Sequence, residues 1–202
     1  MKTTSKLALL CALALAAMAV ASASALATTV TPEGGYTATE DGDGNINNGV
    51  LNLTCTASTL AGSVSNTPTP SRMTITSLTF DNCSTPGGSC TVTVTTLPAQ
   101  LDVRDNTPNA PPDAIGTLVA SESANIVCGA VACVATADTT LQVEVTNSDS
   151  GAGVQATLRV VAQTINVSGL ASVCGTVPGE WNSQWTILTS GGGTDTTFVV
   201  EA

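Results

Sequence analysis

The sequence alternates apolar and polar residues with a period of two, and this pattern constrains the fold more than any other feature. It is clearest over residues 51–57, 141–146 and 154–160, where every second residue is Leu, Val, Ala or Cys. Such alternation buries one face of a strand and leaves the other in water, as in antiparallel sheets. No stretch after residue 27 has a sustained 3.6-residue apolar period, and Thr and Val, which favour strands, are abundant. The chain is therefore predicted to be all-β.

The alternation slips in phase at two places. The apolar residues of segment 73–75 are at odd-numbered positions, whereas those of segment 78–80 are at even-numbered positions. Either the strand changes which face it buries, or one extra residue resets the phase, and we favour a β-bulge near Thr76 and Ser77. The pair at 160–161 indicates a second slip of the same kind.

The N-terminal segment 1–27 has the layout of a cleaved secretory signal peptide. Lys2 and Lys6 precede an apolar run that is too short to span a bilayer. Ala25-Leu26-Ala27 offers a cleavage site before Thr28, and the A-S-A sequences at 21–23 and 23–25 are competing sites. No later segment has the apolar length of a membrane span. The mature protein is therefore expected to be secreted, and either extracellular or attached to the cell surface.

Six of the seven cysteines follow that segment, and an even number in an exported chain predicts disulfides. Two pairing schemes remain open. In the first, the chain folds back near 67–70 and brings Cys55 opposite Cys83, and the set is completed by Cys133–Cys174 and Cys90–Cys128. In the second, the pairs are local, Cys83–Cys90 and Cys128–Cys133.

Residues 28–202 are predicted to form one β-sandwich domain of nine to eleven strands, immunoglobulin-like or jelly-roll-like. The Pro-rich stretch 107–113 is expected to cross between its sheets. Only five aromatic residues are available for the core, so it must consist mainly of aliphatic side chains, and disulfides would compensate for the smaller buried area.

The charged residues exclude several classes of function. After residue 27 the chain has three arginines, no lysine and no histidine, against fifteen acidic residues. Nucleic acids and anionic lipid surfaces need clustered cations, so neither is expected as a partner. Catalysis by a histidine base or a lysine Schiff base is also excluded, and no cofactor is expected. We expect a protein that is not an enzyme.

Two groups of residues are candidate binding sites. Asp41, Asp43 and Asn45 resemble the start of a calcium loop, but the loop's glycine and bidentate acid are missing, and a solvated acidic turn explains them better. Trp181 and Trp185 fall on one strand face, where they would either fill the core or bind a sugar or a hydrocarbon.

A pair of carboxylates close to an arginine also needs an explanation. Asp102 and Asp105 flank Arg104, and two carboxylates are the only acid–base pair that this composition allows. Asp102 and Arg104 have the same strand parity, so a surface ion pair is the simpler account.

Three stretches resemble a family of small secreted bacterial proteins that includes the protein activator of alkane oxidation. They are the L-T-C strand at 53–55, the I-T-S-L-T-F-D-N-C strand at 75–83 and the Cys-Gly turn with its following strand at 173–182. The resemblance implies an extracellular, non-enzymatic protein associated with surfaces, apolar substrates or biofilm matrix, and it supplies no catalytic residues. Cys90 and Cys128 are additional to the family's four-cysteine pattern, which favours their pairing with each other.

Three functional hypotheses result. The first is a secreted, non-catalytic protein that acts at apolar or cell-surface interfaces or in the biofilm matrix. The second is a carbohydrate- or hydrocarbon-binding module that uses Trp181 and Trp185. The third is a self-assembling surface fibre or adhesin subunit, because strands without lysine lack a common block to strand addition.

Overall fold

The computed structural model describes residues 28–67, 70–106, 112–149, 154–189 and 198–201. These residues form antiparallel strands and one short helix. The elements are β1 (Thr29–Thr31), β2 (Gly34–Glu40), β3 (Gly44–Asn47), β4 (Asn52–Ser65), β5 (Ser71–Thr85), β6 (Gly88–Val94), β7 (Ala99–Asp105), β8 (Ala114–Leu118), β9 (Glu122–Cys128), β10 (Val131–Ala137), β11 (Gln142–Thr146), β12 (Thr157–Gly169), α1 (Ala171–Cys174), β13 (Gly179–Thr189) and β14 (Val199–Glu201).

Twelve of the strands form one sheet that closes on itself in two connected rings. Four long strands, β4, β5, β12 and β13, belong to both rings, because each pairs along one edge with two short strands in succession. The first ring is completed by β2, β7, β8 and β11, and the second ring by β3, β6, β9 and β10. Strands β1 and β14 pair separately with each other.

The predicted fold class, an antiparallel all-β protein linked by disulfides, is confirmed. The strands are more numerous than expected, because four long strands each pair with two short strands along one edge. Each of the twelve sheet strands has a neighbour on both edges. Among the described strands only β1 and β14 keep a free edge, so strand addition, on which the fibre hypothesis depends, has few places to occur.

Both predicted phase slips are confirmed. Between β4 and β5, Ala61 pairs with Ser77 and Gly62 with Ile75, which leaves Thr76 as the extra residue of a bulge. Between β12 and β13 the register shifts after Val160. Each slip therefore lets a long strand bury side chains in both rings.

The structure joins the six cysteines in three pairs. These are Cys55–Cys83, Cys90–Cys128 and Cys133–Cys174, the pairs of the first scheme. The first two link residues that lie directly opposite each other on neighbouring strands, β4 with β5 and β6 with β9. All three lie in the second ring or in α1 beside it, so the cross-links concentrate in that half of the sheet.

The core inside the sheet is mainly aliphatic, as the composition predicts. Its largest fully buried side chains include Leu53, Met73, Leu101, Ile126 and Ile187. The predicted signal segment 1–27 and residues 107–111 of the predicted crossing loop lie outside the described residues. None of the helical structure in the described part of the chain has the length and hydropathy of a bilayer-spanning segment.

Candidate functional site

An apolar cavity of about 90 Å³ lies inside the second ring. The cavity lies where the second ring meets the first. Several of its lining residues are the first or last residue of a strand, for example Gly44, Val94 and Ala137. All eight strands of the ring contribute to the wall. One apolar lining residue from each strand, in chain order, is Ile46, Leu53, Phe80, Val92, Ala124, Ala135, Ile165 and Trp181. Phe80 and Val92 are only half-buried, so the wall is partly accessible to solvent.

The two tryptophans have different environments, although the strand places them on one face as predicted. Trp185 is 2% exposed in the core, and its Nε1 donates a hydrogen bond to Ser58 Oγ. Trp181 is half-buried and forms part of the cavity wall. The ring centroids are 6.1 Å apart, with the rings edge to face. Trp181 is therefore available to contact a ligand, whereas Trp185 supports it from the core.

Glu122, at the start of β9, is an acidic residue in this apolar wall. It lies opposite Ala137 of β10, and its Oε2 atom is buried without a hydrogen-bond partner among the described residues. Buried polar atoms are nearly always paired, so this oxygen is an exception among the described residues.

A second half-buried acid, Glu40, lies close to the cavity but faces a different environment. Ser183 Oγ donates to Glu40 Oε1 at 2.7 Å, and a Cβ added to Gly44 would collide with both groups. Burial raises the pKa of Glu40, and hydrogen bonds from Ser183 and Ser58 only partly offset this effect. Glu40 is therefore a structural acid beneath the β2–β3 loop.

The residues of the calcium hypothesis are divided between two elements. Asp41 and Asp43 are exposed in the β2–β3 loop, and Asp41 Oδ2 accepts a hydrogen bond from Gln184 Nε2 at 3.2 Å. Asn45 lies on β3, where its Oδ1 accepts from Asn182 Nδ2 at 3.5 Å. In the described part of the chain, no three acidic, histidine or cysteine side chains are grouped as metal ligands.

The expected ion pair within β7 is wrong, because Asp102 pairs across strands. Arg72 of β5 lies directly opposite Asp102, and its Nη2 is 2.8 Å from Asp102 Oδ1. Gln100 accepts a further hydrogen bond from Arg72 at 3.2 Å. The register between strands, which parity alone does not give, decides this partner.

Sequence reasoning identified Trp181 but missed the rest of the cavity wall. Each strand contributes only one to three lining residues, and none of them forms a motif. Glu122 is the one lining residue that stands out in the sequence pattern. It has the same strand parity as Ala124 and Ile126, which face inward on β9, but it is acidic.

Comparison with protein families matches residues 1–150 to the family described as alkane oxidation protein activator PraA/PraB-like. The chain belongs to this family. The match covers most of the 202 residues, including the motifs at 53–55 and 75–83, and confirms the family resemblance. Neither the curated proteins nor the solved structures include one that matches. The family description names an activator, which is compatible with a non-catalytic role.

Proposed function

We propose that this protein is exported and supports alkane oxidation without catalysis, by binding the end of an alkyl chain in the cavity of the second ring. The observation that carries the proposal is the cavity itself, whose wall is built from apolar side chains of eight strands. Membership of the alkane oxidation activator family gives a second, independent reason to expect an apolar ligand.

The size of the cavity limits how much of a ligand it holds. A benzene molecule occupies an engineered protein cavity of roughly 150 Å³, so a cavity of about 90 Å³ holds about three or four carbon atoms. Burying four methylene groups at ~0.8 kcal/mol each contributes about 3 kcal/mol, which corresponds to an affinity in the millimolar range. Such weak binding suits a carrier that must release its ligand.

The test is an NMR titration of the purified protein with n-pentane, whose five carbons are one or two more than the cavity holds by its volume. The methyl signals of Ala135 and Ile165, which line the cavity, are expected to shift. The methyl signal of Ala132, on the exposed face of β10, is the matched control and should stay unchanged. Trp181→Phe should remove most of any fluorescence response to pentane. Equal shifts at Ala132 and Ala135, or none at either, would contradict the proposal.

A second candidate function, adsorption to an apolar interface, is favoured by exposed side chains beside the β3–β4 turn. Val50 and Val177 are 53% and 51% exposed, and the backbone of each forms a hydrogen bond with the Asn48 side chain. Asn48 accepts from the Val50 amide at 3.1 Å and donates to the Val177 carbonyl at 3.4 Å. Leu170, 60% exposed, precedes α1, whose last residue, Cys174, accepts from Asn48 Nδ2 at 2.6 Å.

Interfacial tension at a hexadecane–water drop distinguishes this second candidate from the first. The double variant Val50→Ser/Val177→Ser should lower the tension more slowly than the wild-type protein. Val154→Ser is the control, because Val154 is similarly exposed but lies in a different loop. If the double variant adsorbs as fast as the control, the exposed valines are not an interfacial site.

A further inference from the structure

The three disulfides differ in how far solvent reaches them. Two of them join cysteines that are at most 4% exposed, namely Cys55, Cys83, Cys133 and Cys174. The third joins Cys90 and Cys128, which are both half-buried at the margin of the core. A disulfide exchanges with a thiol only if the attacking thiolate can reach one of its sulfur atoms, so only this bond is accessible while the chain is folded.

An open cleft of about 420 Å³ lies beside the Cys90–Cys128 bond. Its lining residues come from the β5–β6 turn, the β9–β10 turn and α1, and they are Thr85, Gly87, Gly88, Ser89, Cys128, Gly129, Val131 and Val173. None of these residues is charged, so no acidic side chain in the lining repels a thiolate. Cys90 Sγ is 3.8 Å from the Gly88 carbonyl oxygen and 4.0 Å from Thr85 Oγ1, and both of these residues line the cleft.

The strands that this bond joins have other pairings that hold them in the sheet. Strand β6 pairs with β5 and β9, and β9 pairs with β6 and β10. The register of β6 with β9 continues from the Cys90–Cys128 pair to Val94 and Ala124 at the other end. Breaking the bond therefore leaves each strand with a neighbour on both edges, and the chain can stay folded.

We propose that Cys90–Cys128 is a thiol–disulfide exchange site for small thiols, which enter the cleft and attack Cys128 Sγ. The attacking thiolate forms a new S–S bond with Cys128 as the Cys90–Cys128 bond breaks, and the electron pair that stays on Cys90 Sγ takes up a proton. A second thiolate attacks the small-molecule sulfur of this mixed disulfide, and Cys128 leaves as a thiol. The protein disulfide is thereby reduced to two cysteines, and two small thiols are oxidised to one disulfide.

This exchange loosens one end of the second ring without opening the ring. The two buried disulfides remain, and one of them, Cys55–Cys83, still joins β4 to β5. The inference is independent of the proposed function, because it concerns a different cleft and a different class of small molecule.

The test is the reduction of the full, folded chain with 2-mercaptoethanol, followed at intervals by alkylation with N-ethylmaleimide and peptide mass spectrometry. We expect Cys90 and Cys128 to be alkylated about tenfold faster than the other four cysteines, or faster still. Tryptophan fluorescence verifies that the chain stays folded. The same reaction in concentrated urea is the control, since all three disulfides should then react at similar rates. If a buried disulfide reacts as fast as Cys90–Cys128 in the folded chain, or if none reacts before unfolding, the proposal is overturned.

A second experiment tests the route through the cleft. Val173→Phe places a larger side chain in the lining and should slow the reduction of Cys90–Cys128 about threefold or more. Val177→Phe is the matched control, because Val177 is 51% exposed and does not line the cleft. In the single variants, the Cys128 thiol of Cys90→Ser should react with cystamine faster than the Cys90 thiol of Cys128→Ser. Equal reduction rates in the two valine variants, or a faster Cys90, would show that small thiols do not attack Cys128 from this cleft.

Discussion

Filling the cavity is expected to stabilise the protein while removing its ligand site. Ala135→Leu adds three carbon atoms to a side chain that lies on the buried face of β10 and lines the cavity. Closing a cavity of about 90 Å³ at ~24 cal/mol per Å³ contributes about 2 kcal/mol. Burying three carbons at ~0.8 kcal/mol each gives a similar figure.

The ordering of a leucine side chain reduces this gain. Its lost rotamer freedom costs about 0.5–1 kcal/mol, so the net stabilisation is about 1.5 kcal/mol. For a chain of this length that corresponds to a rise of roughly 3–6 °C in the melting temperature. Gains of this size are typical where a protein keeps an empty, functional space at the expense of stability.

The assay combines thermal and urea unfolding with the pentane titration. Ala132→Leu is the control, because Ala132 lies on the same strand with its side chain exposed, and its stability should change by less than about 0.5 kcal/mol. Ala135→Leu should unfold at a higher temperature and give no pentane-dependent shift at Ile165. If it unfolds at a lower temperature than the wild-type protein, or still binds pentane with the same affinity, the cavity is not the empty apolar space that we describe.

Three further predictions concern the rest of the structure. Glu40→Gln should be more stable than the wild-type chain at neutral pH, and the difference in melting temperature should shrink on acidification. The pKa of Glu40 is raised in the folded chain, so folding favours the protonated acid. The wild-type chain therefore gains stability as the pH falls toward that pKa. A difference that does not change with pH would contradict this. Replacing both Cys90 and Cys128 by Ala should lower the free energy of unfolding in urea by about 3–4 kcal/mol, since the disulfide closes a loop with a sequence separation of 38. A decrease below about 1 kcal/mol would show that the disulfide does little to restrict the unfolded chain. Gly62→Ala should cost about 1–3 kcal/mol, because its Cβ would collide with the Thr74 carbonyl oxygen, whereas Gly87→Ala, in an exposed turn, should melt like the wild-type chain.

Features encoded by near neighbours were predictable from the sequence. The parity change between Ile75 and Leu78 locates the bulge at Thr76, because strand faces alternate with a fixed period. The same rule placed Trp181 and Trp185 on one face. It did not indicate that Trp185 would be buried and Trp181 would line a cavity, since this difference arises from the strands that pack on each side.

The closure of the sheet and the cavity were not predictable. Closure requires β4 to pair with β5, which the fold-back near 67–70 predicts, and β10 to pair with β12, which joins distant residues such as Cys133 and Gly169. Loop lengths and local propensities do not specify the second pairing. The cavity depends on this closure, because its wall takes residues from all eight strands of the second ring.

The four strands shared by both rings also have a consequence for how the protein unfolds. Two pairings, β4–β5 and β12–β13, belong to both rings, so separating either pair along its length opens both rings at once. Amide hydrogen exchange across these two pairings should therefore slow to a similar, global rate. Because most of the closing contacts join distant parts of the chain, folding should be slow, and once formed the sheet should resist proteolysis.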